Sequence, residues 1–403
     1  MSYEPDFLRE AMDIQDEVIQ WRREFHRHPE PSGEEFETSA KIAAYLESLG
    51  FDVMINVGAP MPGVVGVISG PGAMGKTVAL RADMDALRQT ECRSSEYCSQ
   101  REGLMHACGH DAHMAIQLGV AQLLAKHQPE LPGTVKLIFQ PSEEIYGGAV
   151  PMIRDGAMEN PAVDAIFALH VDPEYPAGEI AVSYGETRAA SDRLIIHIKG
   201  KSAHGAYPHK GIDAIMISAH VLVALQTMMS REKDTFSPGI LSFGVITGGK
   251  QPNSVCDDVL LRGILRTLNP VVREHMIRRI EEVLDGVTRA MGGSYEFERQ
   301  ISYDAMINDP VMARLQEETG RQLLGPDKVH ILPHAKMGVE DFSYFLHKAP
   351  GAMFFLGISN KEKDTCYPLH STSFDLDEDA LAIGTAMEFA TVWRYLEQGG
   401  QVY

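Results

Sequence analysis

Five short, continuously apolar runs most constrain what this chain can fold into: Val64–Ile68, Val78–Arg81, Val135–Phe139, Ala165–Leu169 and Met353–Leu356. Helical stretches lie between or beside them. The segment Tyr3–Arg27 has helical periodicity, Thr38–Leu49 reads as a helix closed by Gly50, and Asp111–Lys126, Pro151–Gly156, Val311–Leu324 and Asp377–Leu396 read as further helices. Apolar strands interleaved with helices predict an α/β domain whose mixed, mostly parallel sheet is covered on both faces.

Residues 188–303 follow another rhythm. Strand RLIIHIKGK precedes a helix over Asp213–Met229, then strands GILSFGVITGG and SVCDDVLLRGILRTL, a helix over Val271–Met291, and strand SYEFERQIS. This β-α-β-β-α-β order is the ferredoxin-like α+β pattern. It predicts a discontinuous first domain, 1–187 and 304–403, with the second domain, 188–303, inserted into it.

Chemistry-bearing residues follow the strands. VALRA runs into Asp83-Met-Asp85, VKLIFQP into Ser142-Glu143-Glu144, AIFAL ends at His170, and MFFLGIS leads into a loop reaching His370. Sites in open α/β sheets form at the carboxyl ends of strands, so these groups are expected to share one site. The densest cluster is MHACGHDAHM. Cys108 and His110, two residues apart, can face one way as metal ligands, Gly109 permits a tight turn, and Asp111 can cap the following helix. His106 and His113 read as supporting groups. In Glu143-Glu144, neighbouring side chains point apart, so one carboxylate can bind metal while the other faces substrate as general base. In SAHGAYPHKGIDA, His204 is a candidate donor to a developing oxyanion.

Three other readings compete. Gly70–Thr77 (GPGAMGKT) matches a phosphate-binding loop, but that loop needs a helix beginning at Lys76. Val78–Arg81 reads as a strand, which makes GPGAMGKT a hairpin turn. A thiol hydrolase built on Cys108 and His110 leaves Glu144, His170 and His370 without a role. A structural zinc site through Cys92, Cys98 and Cys108 lacks paired close spacing.

Composition excludes other classes. The 403 residues carry a net charge of −20, which repels nucleic acid and anionic membrane. No apolar run reaches ~18 residues, and the start MSYEPDFLRE is polar, unlike a signal peptide. Five sparse cysteines, an odd number, predict no disulfide framework and a cytoplasmic setting.

Taken together, FHRHPEPSGEE, LRADMDAL, MHACGHDAHMA, FQPSEE, ALHV, GKSAHGAYPHKGIDAI, GGKQPNSVCDDVLLRGILRT, GVEDFSYF and PLHSTSFD resemble, nearly end to end, the dinuclear metallohydrolase family of aminoacylases, hippurate hydrolases and plant auxin-amide hydrolases. These enzymes are amidohydrolase relatives of the co-catalytic metal carboxypeptidases. The resemblance implies metal ligation by Cys108, His110, Glu144, His170 and His370, with Cys108 in the bridging place. It implies Glu143 as general base, Asp85 as the aspartate supporting a metal ligand (Asp83 competing for that role), and His204 as a lid histidine reaching a neighbouring subunit's site. Asn253 and Arg266 would bind the substrate carboxylate. The inserted domain would be a lid and dimerisation domain, giving a homodimer or a tetramer built on it. The chain departs from the family at DALRQTE, where Arg88 stands in place of a common proline and the following CRSSEYCSQREG is unusually polar. The departure alters the substrate-pocket rim and leaves the ligand positions intact.

The expected reaction is hydrolysis of N-acyl amino acids, carrying acyl, aryl or acetyl groups, by a hydroxide shared between two divalent ions with Glu143 as base. Thiolate and imidazole favour zinc, the carboxylate admits manganese, and cobalt or nickel also suit the donors. A dipeptidase or carboxypeptidase using the same site is the alternative. A noncatalytic relative is a third class, against which the intact Glu143 and ligand set argue.

Overall fold

The computed structural model describes residues 4–71 and 75–400. The chain forms two compact units. The first takes up the chain to Gly185, Ile307–His334 and the chain from Asp341; the second comprises Glu186–Met306 and Ala335–Glu340. The sequence reading leaves 335–340 with the larger domain. They group with the smaller unit because Ala189 N donates to Gly338 O at 2.9 Å and Arg266 Nη1 to Met337 O at 3.0 Å.

The first unit is built on strands β1 (Asp52–Val57), β2 (Gly63–Ser69), β3 (Thr77–Asp83), β4 (Thr134–Gln140) and β5 (Ala165–Pro176). With Ile180–Val182, Val329–Ile331 and Gly351–Ser359 they form one eight-stranded sheet, ordered β1-β2-β4-β3-β5, then 351–359, 180–182 and 329–331. The centre is parallel: β3 pairs with β4 and β5, and β5 with Gly351–Ser359. The β1–β2 and β2–β4 pairs are antiparallel. Strands β3 and β4 are buried along their whole length, as continuous apolar runs covered on both faces require.

The predicted hairpin at Gly70–Thr77 is not formed, because β4 lies between β2 and β3 in the sheet. Gly72, Ala73 and Met74 of that motif lie outside the described residues. Thr77 opens a strand, so the amide-donating helix of a phosphate loop is missing after Lys76.

Of helices α1 (Phe7–Asp13), α2 (Gln15–Arg27), α3 (Phe36–Ser48) and α4 (His110–Lys126), α3 and α4 pack on this sheet with the C-terminal helix Asp379–Glu397, and α1 and α2 pack on α4 and that C-terminal helix. The amino-terminal helical segment is thus two helices, broken at Ile14. Helix α4 is buried from His110 to Val120 without interruption. It lies inside the core, which allows buried polar side chains in its first turn to meet partners on every side.

In the second unit the sheet runs Gly239–Gly248, Asp258–Thr267, Ala190–Lys199, Ser294–Tyr303, all antiparallel. Helices Ala214–Arg231 and Pro270–Ala290 supply Ile217, Val221, Leu225, Ile280 and Leu284 to its core. This is the ferredoxin-like arrangement. Asp213 and Asn269 cap the two helices by accepting from backbone amides in the first turn.

Candidate metal centre

The site forms where the central strands end at different lengths. The β3–β5 pairing stops at Arg81↔Ala168, while β5 stays paired with the strand Gly351–Ser359 through Phe355↔His170 and beyond. His170 therefore lies inside β5 and not at its end, as the apolar run AIFAL suggested. Beyond the last β3 partner, Val171 N donates to His113 Nε2 at 3.0 Å. The other nitrogen of His113 meets Asp83 Oδ1 at 2.6 Å, so this imidazole bridges the end of β3 to β5.

Cys108 and His110 arrive on the turn into α4. Gly109, at the N-cap, has φ +82, and a Cβ there would sit 2.3 Å from Val171 Cγ2. Only glycine fits. Asp111 does not cap the helix. Its Oδ2 receives Arg22 Nε at 2.9 Å and His26 Nδ1 at 2.7 Å, in a fully buried ion pair.

The thiol of Cys108 is the meeting point. Its Sγ lies 3.6 Å from His170 Nε2 and 3.3 Å from His370 Nε2. His370 Nε2 is 3.2 Å from Glu144 Oε1, and His110 Nε2 is 3.9 Å from the same oxygen. Donor atoms converge in overlapping groups: Cys108–His110–His170, Cys108–Glu144–His370 and His110–Glu143–Glu144. Each of two imidazoles is fixed by a carbonyl, His110 Nδ1 to Asp85 O at 2.8 Å and His170 Nδ1 to Val171 O at 2.7 Å. That leaves Nε2 toward the shared space. His110 Nε2 and Glu144 Oε1 are buried and make ion-pair contacts with Asp83, His370 and each other but no well-formed hydrogen bond. Buried polar atoms of this kind are costly unless something else binds them, and this thiol, imidazole and carboxylate set suits divalent ions.

The pair of glutamates is held from behind. Ser142, with φ +60, turns the chain after β4. Asp85 Oδ1 accepts from Glu143 N and Oδ2 from Glu144 N, each at 3.0 Å, and Ser32 Oγ donates to Oδ2 at 2.6 Å. Glu35 Oε1 takes the preceding amide, Ser142 N, at 2.8 Å. Glu143 itself is buried.

Electrostatics follow burial and pairing. Burial and the neighbouring Glu144 push the Cys108 thiol well up. The thiol-hydrolase reading leaves Glu144, His170 and His370 without a role, whereas their donor atoms gather around this sulfur. Burial opposes charge on His110, yet Asp83 and Asp85 hold its pKa well above the usual value. Asp83 and Asp85, also against burial, are both kept low, Asp83 chiefly by His110, His113 and Arg81, and Asp85 chiefly by His110. His106 is pushed down to about 3 by burial, and neither ring nitrogen has a hydrogen-bond partner among the described residues.

The remaining candidates lie on the second unit. His204 and Asn253 are exposed neighbours, with Gly205 N donating to Asn253 O at 2.7 Å and Ser254 paired with His204. Arg266 is half-buried on its sheet. None of the convergent groups among the described residues contains Cys92 or Cys98, which removes the structural zinc reading. All five cysteines are unpaired.

Three buried groups escaped the sequence reading. Glu35 is one. The others are Arg81, which binds Asp83 at 2.6 Å, and Asp341, 2.8 Å from Arg81. The available signal was an arginine inside an otherwise apolar strand, since a buried guanidinium requires carboxylate partners.

Residues 79–394 match the sequence profile of Peptidase family M20/M25/M40. The chain belongs to this family. Like its relatives it is a hydrolase acting on amide bonds. Thermostable carboxypeptidase 1 of Saccharolobus solfataricus is 39% identical over 378 residues, 93% of this chain and 94% of that protein. N-acetyl-L-cysteine deacetylase of Bacillus subtilis is 34% identical over 385 residues, 95% and 89% of the two chains. A solved Bacillus subtilis structure, described as a dinuclear metal binding peptidase from the M20 family, superposes with a TM-score of 0.83 at 30% identity, covering 96% of this chain and 99% of that one.

Proposed function

We propose that this M20 member cleaves the amide bond of N-acyl amino acids at a centre of two divalent ions held by Cys108, His110, Glu144, His170 and His370. The observation that carries this reading is the position of Cys108, whose thiol belongs to two donor groups at once, one with His110 and His170 and one with Glu144 and His370. A shared ligand is what a closely spaced ion pair needs. Zinc or manganese fits the donors best, with cobalt and nickel also compatible.

Bound there, the ions would supply Lewis acidity toward the amide carbonyl and lower the pKa of water. The protein's own groups do the rest. Glu143 accepts a proton from the attacking water and delivers it to the leaving nitrogen. Asp85 fixes the backbone of both glutamates, so the base and the ligand keep a constant separation. His204 donates to the developing oxyanion of a neighbouring subunit's substrate. Arg266, with its planar fork, and Asn253 receive the α-carboxylate.

A homodimer through the second unit is part of the proposal. Helix Ala214–Arg231 has a mean hydropathy of 1.3, yet only 33% of it is buried. It exposes Ile215, Met216 and Val223, and the sheet-edge strand Gly239–Gly248 exposes Ile240, Val245 and Ile246. An apolar helix face and an unpaired strand edge are surfaces that association covers. A reducing cytoplasm suits a centre built on an unpaired thiol.

A carboxypeptidase or dipeptidase is the second reading, favoured by the carboxypeptidase name of one relative. The deciding experiment is a panel of N-acetyl, N-acyl and N-aroyl amino acids against dipeptides, using zinc- and manganese-loaded protein. Faster turnover of the acyl conjugates is expected, and a preference for dipeptides would replace this reading with the second.

A further inference from the structure

We infer that the polar segment Gln89–Arg101 is a strap that positions His370 and thereby sets occupancy of the ion held by Cys108, Glu144 and His370. The inference rests on the two-ion reading above. Among the five proposed ligands His370 is the most exposed, its side chain 52% accessible. Packing therefore does little to fix it. Its backbone is in the left-handed region, φ +63, a conformation that non-glycine residues hold only when the surroundings impose it.

His370 N itself donates to Ala107 O at 2.7 Å, and the strap adds to that hold by gripping main chain on both sides of His370. Cys92 N donates to Thr372 O at 2.8 Å, and Gln89 Nε2 to Ser371 O at 3.3 Å. Arg93 Nη1 donates to Asp364 O at 2.7 Å and to its carboxylate at 3.1 Å, with the guanidinium 5.5 Å from the Tyr367 ring centre. Tyr97 OH donates to Asp375 Oδ2 at 2.9 Å. The other end reaches the first ligand segment. Glu91 Oε1 lies 3.4 Å from His26 Nε2, and His26 Nδ1 holds Asp111, the residue after His110. One stretch thus braces the direct Ala107–His370 backbone link between the Cys108–His110 turn and the His370 loop, which are 260 residues apart from ligand to ligand. It overlaps the stretch in which the sequence departs from the family pattern.

The test uses metal binding rather than turnover. Apoprotein is titrated with Zn²⁺ and separately with Mn²⁺, for wild type, Arg93→Ala and Tyr97→Phe, alongside the melting temperature of each apoprotein. The wild type should bind two ions. Each variant should weaken one dissociation constant several-fold, short of the about tenfold or more that follows loss of a direct outer partner of a ligand, and leave the other constant and the apoprotein melting temperature unchanged. Tyr97→Phe removes one hydroxyl only, so it keeps the test open if Arg93→Ala folds poorly. Two unchanged constants in both variants would overturn the strap alone. So would equal weakening of both ions together with a lower melting temperature, which marks a merely structural role. A wild type binding fewer than two ions would overturn the two-ion reading itself.

Discussion

Glu143 and Glu35 are buried carboxyl groups on either side of one backbone turn, and they carry opposite expectations. Glu143→Gln keeps the shape of the site and removes the proton acceptor. Turnover should fall by about 10²–10⁴ while metal content, measured by elemental analysis, stays at the wild-type level. Glu35 is pushed up to about 8, mainly by burial and then by Asp85. A carboxyl whose folded pKa exceeds its unfolded value of 4.5 is penalised when it must ionise. Its contribution is intact below pH 4.5 and is lost as pH climbs toward 8. Glu35→Gln should accordingly melt close to wild type at pH 5 and gain on it by pH 8.5, as thermal unfolding across that range would register. Cys108, His110 and the glutamate pair were legible in the sequence because each motif is contiguous and its spacing already limits where side chains point. Glu35 and Asp341 were not. Their partners, Ser142 and Arg81, lie 107 and 260 residues away, and no local pattern encodes that pairing.

Elements were read well where apolar runs and caps are local signals, and less well where a distant strand decides. The overrun of β5 past Leu169 is polar, DPEYP, and forms a strand only because Gly351–Ser359 pairs alongside it. The hairpin reading of Gly70–Thr77 failed because β4, more than fifty residues downstream, takes the place between β2 and β3. The turn into α4 is an element-level constraint of its own. Gly109→Ala must strain a left-handed residue and displace Val171, which sits beside His170 in β5. A loss of about 2 kcal/mol or more is expected, read from chemical denaturation, together with weaker metal retention because the shift reaches two ligand segments.

For the whole molecule, the proposed association belongs to the second unit and the proposed ion-binding donors to the first. Val223, 67% exposed on an apolar helix, is a suitable probe. Val223→Arg should shift the mass in solution from dimer to monomer without changing metal content; a dimer that persists would move the interface elsewhere. Mixing His204→Ala with Glu143→Gln tests sharing between copies. Recovery of activity above either variant alone is the expected result, and none should appear if each subunit uses its own histidine.

The insertion of the second unit has a consequence for how the protein is made. Two hundred residues separate His170 from His370, so four of the five proposed ligand positions leave the ribosome well before the last. At roughly 5–20 residues per second the interval is about 10–40 s. During it, β5 lacks its 351–359 neighbour and the Cys108 thiol lacks His370, the fourth of its companions. A nascent chain therefore passes through a window in which metal or oxidant can reach this sulfur ahead of the completed cluster, and under the proposed two-ion reading loading fidelity becomes a question of timing as well as affinity.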